Sequence, residues 1–570
     1  MRRGLIALLL GSGLLALPLQ QSVLAADAPV PANPVAMQPI FHSTIKDKIQ
    51  DIFRAAAPTP ASDYAGVYFA SSAPSQVMSR MFAEYRNENG THVQHICTGA
   101  DDATCSPANG FTEFSVVSGI GNCAANPNAS CVESFSIVDS QGKEHKATPE
   151  SKFPAGASEF KGSPGNYPGG LTPWIWKIDG LTGLDTSEYF LNGSIISRDS
   201  TTMPGASGKS GGNTGGNKST WSPKVNSFSF EITPVTRETS PLIKAPVVME
   251  ETTIDTKTTE VVLKNSLDGC VANDEGICLH RANFSAESTI RLVIHLPHNI
   301  SGWLVGRLDR PAVSIKKVSD TQDAVSVEAG FLQNIVAGKY LKRSSLDPAA
   351  FNPPASCPQS QRFQALGNGI GNAVGMDSGE DCALAQYKKW SSYLGDSAFV
   401  VQQGWTLASP TVADKNPCLK QGSGLQAVVA SNASAFDPGA PAFDSKAQKL
   451  TYQVAAPIYA ADGKTENVGR YGVTMSADLM KCLYGVKTIP SQVNIGITGA
   501  DGTNVIQSAT LNSKNNWVYF AADNFRYSDL SILTVTLPKA PATKATAKPS
   551  AKPTPVKAKP SSAPSKNAKK

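Results

Sequence analysis

Six of the chain's ten cysteines repeat a single spacing, and that repeat constrains the fold more than any other feature. Cys97 and Cys105, Cys123 and Cys131, and Cys270 and Cys278 are each C-x7-C. The enclosed segments TGADDAT, AANPNAS and VANDEGI are filled with Gly, Asn, Asp and Pro, the residues that reverse a chain. Each pair reads as a stapled hairpin loop. An even cysteine count without a C-x2-C knuckle fits disulfides formed in an oxidising compartment and speaks against a zinc site. By loop-closure entropy each nine-residue ring contributes about 2.6 kcal/mol, and Cys357 with Cys382 and Cys418 with Cys482, if paired, about 3.5 and 4.3 kcal/mol. Ten cysteines allow about 945 pairings, so spacing reaches no further than the three hairpins.

The termini carry the other strong signals. Residues 1–25 show Arg2-Arg3, an apolar run from Leu5 to Leu17 and Val23-Leu24-Ala25, the layout of a secretory signal cleaved after Ala25. Gly11, Gly13 and Pro18 keep that run below the ~20 residues a membrane span needs, and no transmembrane span is expected elsewhere. At the other end, 539–570 collapses to Lys, Pro, Ala, Ser and Thr, a composition that cannot bury enough apolar surface to fold. It holds nine lysines and no acid: Lys539, Lys544, Lys548, Lys552, Lys557, Lys559, Lys566, Lys569 and Lys570. Setting these and Arg2 and Arg3 aside leaves 40 bases against 46 acids, so a body of net −6 faces a tail of +9. Such a polycation is drawn to anionic cell-wall or envelope polymer, and to nucleic acid only non-specifically.

Between the termini the pattern is mainly β. A leader over 26–63 holds a short amphipathic helix between Ser43 and Ala57, with Ile45, Ile49, Ile52, Phe53 and Ala56 at helical spacing and Thr44 and Asp47 placed as a capping box. Period-two alternation follows over 64–240, at Phe114 and Val116, Phe135 and Ile137, and Phe228, Phe230 and Ile232. That domain is interrupted by a Gly-rich loop at 204–220. A second β domain spans 241–345, with Ile290, Leu292, Ile294 and Leu296 on one strand face. A disulfide-tied connector over 346–400 carries one helix from Cys382 to Leu394, and a third β domain covers 401–538. The expected architecture is two or three antiparallel sandwich-like modules with short helices and stapled hairpins.

No catalytic, cofactor or metal motif withstands inspection, so no catalytic residue and no cofactor is assigned. Gly205-Ala206-Ser207-Gly208-Lys209-Ser210 imitates a phosphate loop, but Met203 stands where the first Gly belongs and the next residues cannot start a helix. Asp377-Ser378-Gly379 lacks the neighbours and the histidine context of a serine nucleophile. The seven histidines form no metal-binding spacing. Trp174 and Trp176 are the best binding candidates: at i and i+2 on a strand both rings share a face, where an aromatic platform stacks on sugar rings.

Three stretches look familiar. They are NISGWLVGRL from Asn299 to Leu308, KKWSSYL from Lys388 to Leu394, and ENVGRY from Glu466 to Tyr471 followed by KCLYG from Lys481 to Gly485. They resemble segments of large, uncharacterised secreted or cell-surface proteins of high-GC Gram-positive bacteria. The resemblance covers about 241–538 and implies a surface location and nothing catalytic. The expected function is therefore that of an exported, non-enzymatic envelope protein whose β modules are held by the cationic tail to anionic surface polymer. The alternative is a secreted polysaccharide-acting hydrolase or carbohydrate-binding protein.

Overall fold

The computed structural model describes residues 45–537 apart from 71–77, 87–90, 181–185, 202–219, 358–372, 378–381, 411–415, 420–423 and gaps of one to three residues. The signal segment, most of the leader, the Gly-rich loop and the lysine tail lie outside the described residues. What is described is mainly β, with three α-helices, and none of its helices is long and apolar enough to cross a membrane.

Eight strands set the frame: β1 (Cys131–Val138), β2 (Glu144–Lys152), β3 (Trp174–Ile178), β4 (Glu188–Ser200), β5 (Lys224–Thr239), β6 (Thr289–Pro297), β7 (Gln322–Lys342) and β8 (Val400–Ala408). Every pairing among them is antiparallel, and together they close a ring. β1 pairs with β6, β6 with β7, β7 with β8 and β8 with β5. β5 pairs with β4, β4 with β3, β3 with β2, and β2 returns to β1. Closure removes exposed strand edges, and eight strands enclose an interior just wide enough for side chains to fill.

The period-two pattern fills that interior. Phe135, Leu292 and Val327 are register partners across β1, β6 and β7, as are Trp405, Ile232 and Leu191 across β8, β5 and β4. All six are buried in one core. The indole of Trp405 donates to Ala329 O at 3.3 Å, so the polar atom of the largest ring is satisfied inside the barrel. Gly193 on β4 has to lack a side chain, because a Cβ there would meet the Phe230 ring at 2.3 Å.

The expected boundaries near 240 and 345 are crossed by this pairing. β1 belongs to the first expected segment, yet its neighbour β6 belongs to the second, and β8 from beyond 400 pairs with both β5 and β7. β7 also outruns the barrel: Ala337–Lys342 pair with the strand Tyr64–Ala70, against which the helix α2 (Ala383–Leu394) packs Leu384, Tyr387 and Trp390.

A second core follows. Gly302–Gly306 runs parallel to Leu425–Ser431, which pairs with Val468–Ser476 and through it with Trp517–Arg526. A six-stranded sheet containing Lys449–Ala455, Gln492–Gly499 and Ser531–Thr536 supplies Tyr452, Val454, Ile495, Leu533 and Val535 to the core shared with Val473 and Phe520. The helix α3 (Ala477–Tyr484) closes this sandwich with Leu479, Met480 and Leu483, and Ser476 Oγ caps it by accepting from Leu479 N at 3.1 Å.

The three hairpin disulfides form as their spacing suggests, Cys97–Cys105, Cys123–Cys131 and Cys270–Cys278, and the structure settles the remaining pairing as Cys357–Cys382 and Cys418–Cys482. The leader departs from expectation. Ile45–Lys46 is a strand paired in parallel with Leu279–His280, and the helix α1 runs only over Ile49–Ala55, with Lys48 as an N-cap that makes no side-chain bond. Thr44, one half of the expected capping box, lies outside the described residues, and the other half, Asp47, takes a left-handed φ of 64° and turns its carboxylate to His280 Nδ1 at 2.6 Å. Tertiary pairing has overridden a local helical pattern.

Two predictions follow from these ties. Replacing Cys418 and Cys482 together by serine lowers unfolding free energy by about 4 kcal/mol, read as a fall in the denaturant midpoint under oxidising conditions, with Cys97 and Cys105 giving a smaller loss near 2.6 kcal/mol. The His280 clamp is pH-dependent. Partial burial pulls its pKa down, but bonds to Glu238 and Asp47 outweigh it and hold it above the ordinary value. A raised folded value means the clamp's contribution is complete below the ordinary imidazole range and fades as pH rises through the folded pKa. Hydrogen-exchange protection at Ile45 and Lys46 therefore declines through that window, and His280→Gln abolishes the pH dependence.

Candidate functional site

In an antiparallel ring the starts of β1, β3, β5 and β7 and the ends of β2, β4, β6 and β8 lie at one mouth. A cleft of about 820 Å³ opens there. It is walled by the loop stapled by Cys123–Cys131, by residues 161–163 and 166–169 between β2 and β3, by the end of β6, and by the turn that leads into β7. Val225, at the start of β5, packs on the barrel core and also lines the cleft. The barrel is filled, so whatever binds does so at its mouth, a common place for ligand sites on such folds.

Local sequence builds each wall. The staple holds Asn126, Asn128 and Ser130 in a tight turn where Asn128 N donates to Asn126 Oδ1 at 3.1 Å. The second wall is a narrow ribbon, with Phe160 bridged to Gly170 and Ser163 to Tyr167. A Cβ on Gly162 would meet Gly169 N at 2.4 Å, so the ribbon closes only on glycine. Asn166 is fixed from both ends, donating to Ser163 Oγ at 3.2 Å and accepting from Lys224 Nζ at 2.8 Å. Burial raises the pKa of the Tyr167 hydroxyl, and its ring meets Phe160 edge-on.

Two features bear on chemistry. Ser130 is 1% exposed, lines the cleft, and its hydroxyl has no hydrogen-bond partner among the described residues. A buried polar group costs stability unless satisfied, so such a group beside a cavity points to a ligand or water. The second feature is His298, whose Nδ1 lies 2.6 Å from Oδ2 of the buried Asp323, while its backbone N donates to Thr321 O at 2.9 Å. With Nδ1 engaged by Asp323, Nε2 is the ring nitrogen left for another partner. Gln322 donates its amide to Ala129 O at 2.7 Å, tying the turn before β7 to the stapled loop.

The residues singled out from sequence fall elsewhere. Trp174 and Trp176 do share a face of β3, but that face is the barrel interior: Trp176 is 3% exposed with its ring edge-on to Phe135, and Trp174 packs partly buried against the same core. Ring closure turned the expected platform inward. The ten cysteines are all bonded, so the near approach of Cys123, Cys131 and His295 offers no thiolates to a metal. The six described histidines each face carboxylate, His92 with Glu84 and Glu260, His95 with Glu251, His145 with Asp139, and His295 with Glu133, alongside His280 and His298. Lys209, Ser210 and the nine tail lysines, Lys539 through Lys570, lie outside the described residues. Sequence reasoning missed Ser130, His298 and Asp323, and the one local signal was the Asn-rich stapled loop, because the cleft joins segments almost 200 residues apart.

No family model matches the chain, and no curated protein matches it.

Trp176→Ala tests the reassignment. It costs about 3–5 kcal/mol of stability as a core truncation, measured by denaturant unfolding, and leaves untouched any ligand affinity of the protein that remains folded.

Proposed function

We propose that this is an exported envelope protein that binds a polar ligand at the mouth of its barrel and is held by residues 539–570 to anionic surface polymer. The observation that carries the binding role is the mouth cleft itself, whose walls display the side-chain amides of Asn126, Asn128 and Asn299 and include Ser130, whose buried hydroxyl has no hydrogen-bond partner among the described residues. The anchoring role rests on the charge division between body and tail. The signal-like N-terminus and the disulfides agree with export, and the resemblance over 241–538 favours a surface location.

A second reading, a secreted hydrolase acting on polysaccharide, has one observation in its favour. The His298–Asp323 pair has the geometry by which a carboxylate orients a general base. His298→Asn separates the two: a hydrolase loses turnover of a saccharide substrate, whereas a binding protein shows no turnover before or after the change.

The anchoring role is tested with the mature protein, intact and truncated after Pro538, bound to isolated cell envelopes across a salt series. The intact form binds and salt releases it; the truncated form loses most of its binding at low salt. Equal, salt-insensitive binding of both forms would sink the electrostatic anchor.

A further inference from the structure

We infer that the mouth cleft takes an uncharged, hydroxyl-rich saccharide, with Ser130 and His298 as ligand-binding residues. This rests on the reading of the cleft as the protein's binding site and goes further by naming the ligand class.

Charge excludes the other classes. Lys161 is the cation among the described lining residues, and Asp320 opposes it from the far wall. Asp320 is itself paired with Lys317 at 2.8 Å, and the buried carboxylate of Asp323 stands behind His298. A phosphate or carboxylate ligand would meet these acids, and no arginine stands among the described lining residues to receive it. An apolar ligand would bury the wall amides against hydrocarbon, leaving them unpaired at a cost of about 1–3 kcal/mol each.

The groups present match hydroxyls. A sugar hydroxyl is donor and acceptor at once, and so are the side chains of Asn126, Asn128, Asn299 and Ser130. Asp323 engages Nδ1 of His298, which leaves Nε2 as the ring nitrogen to hydrogen-bond a sugar hydroxyl. Apolar patches from Tyr167, Pro168, Val225 and Pro297 suit the C–H faces of a pyranose. A volume of about 820 Å³ lies within the usual range for small-ligand sites and admits an oligosaccharide segment.

The test is calorimetric titration of the intact, oxidised protein with neutral soluble glucan, mannan and galactan oligosaccharides, and with polygalacturonate as an anionic counterpart. The expected result is binding of at least one neutral oligosaccharide, weakened about tenfold or more by Ser130→Ala and by His298→Ala. Asn128→Ala, on the exposed rim, gives a smaller loss without endangering the fold, and near-ultraviolet circular dichroism checks each variant. Neutral binding that none of the three variants alters overturns the inference by placing the sugar elsewhere. Binding of polygalacturonate alone, lost in the same variants, overturns the ligand class and leaves the cleft as the binding site. If none of these saccharides binds the intact, folded protein, the ligand class fails.

Discussion

The fold depends on one strand with two sets of partners. β7 is 21 residues long, and its backbone groups must be paired along its whole length because most of its residues are buried. Its first half pairs with β6 and with Leu308–Lys317, its middle with β8, and its end with Tyr64–Ala70. Because these pairings share one continuous strand, the barrel, the α2 layer and the turn before Gln322 are placed together. The carboxylate of Asp323 is one residue into that strand, and with it the orientation of His298.

The barrel and the C-terminal sandwich are joined by polar groups rather than by apolar area alone. Asn432 donates to Gln333 O and Val468 O and accepts from Arg470 N and the Tyr527 hydroxyl. Arg307, 1% exposed, donates to Ser431 O at 2.6 Å and stands 4.9 Å over the Phe436 ring. Removing one member of such a buried network strands the rest, so it specifies one docking of the two cores. Two of the stretches that look familiar in sequence supply buried residues here, Trp303, Arg307, Asn467 and Tyr471, while the third lies on α2. Their work is packing and hydrogen bonding.

Much of the architecture was legible because it is local. Period-two alternation found the inner faces of β1, β5 and β6, and turn residues between cysteines found the three stapled loops, since both signals act over fewer than ten residues. Helix α2 was found for the same reason, its boundary shifted by one residue. What was not legible depends on closure. The spacing of Trp174 and Trp176 gave their common face correctly, yet only the pairing of β3 with both β2 and β4 decides that this face is the inside. Asp47 reads as a capping residue until the strand Leu279–His280 arrives beside it. Ser130, Tyr167 and His298 have no pattern linking them in the chain, because a mouth is defined only by which strand ends meet.

That division explains where function can sit. A closed barrel with a filled interior has neither a free edge for strand addition nor a lumen for a ligand, so binding falls to the loops at its ends. Loops alone hold a polar side chain poorly, since their backbone has few partners. Here the Cys123–Cys131 bridge, the Gly162–Gly169 approach and the Gln322–Ala129 bond restrict three walls of one cleft. Rigid walls lower the ordering cost of binding, which favours a ligand such as a sugar, whose individual hydroxyl contacts each gain little over water. The stability cost of leaving the Ser130 hydroxyl unpartnered is then carried by the barrel core, and it is recovered when a ligand supplies the partner.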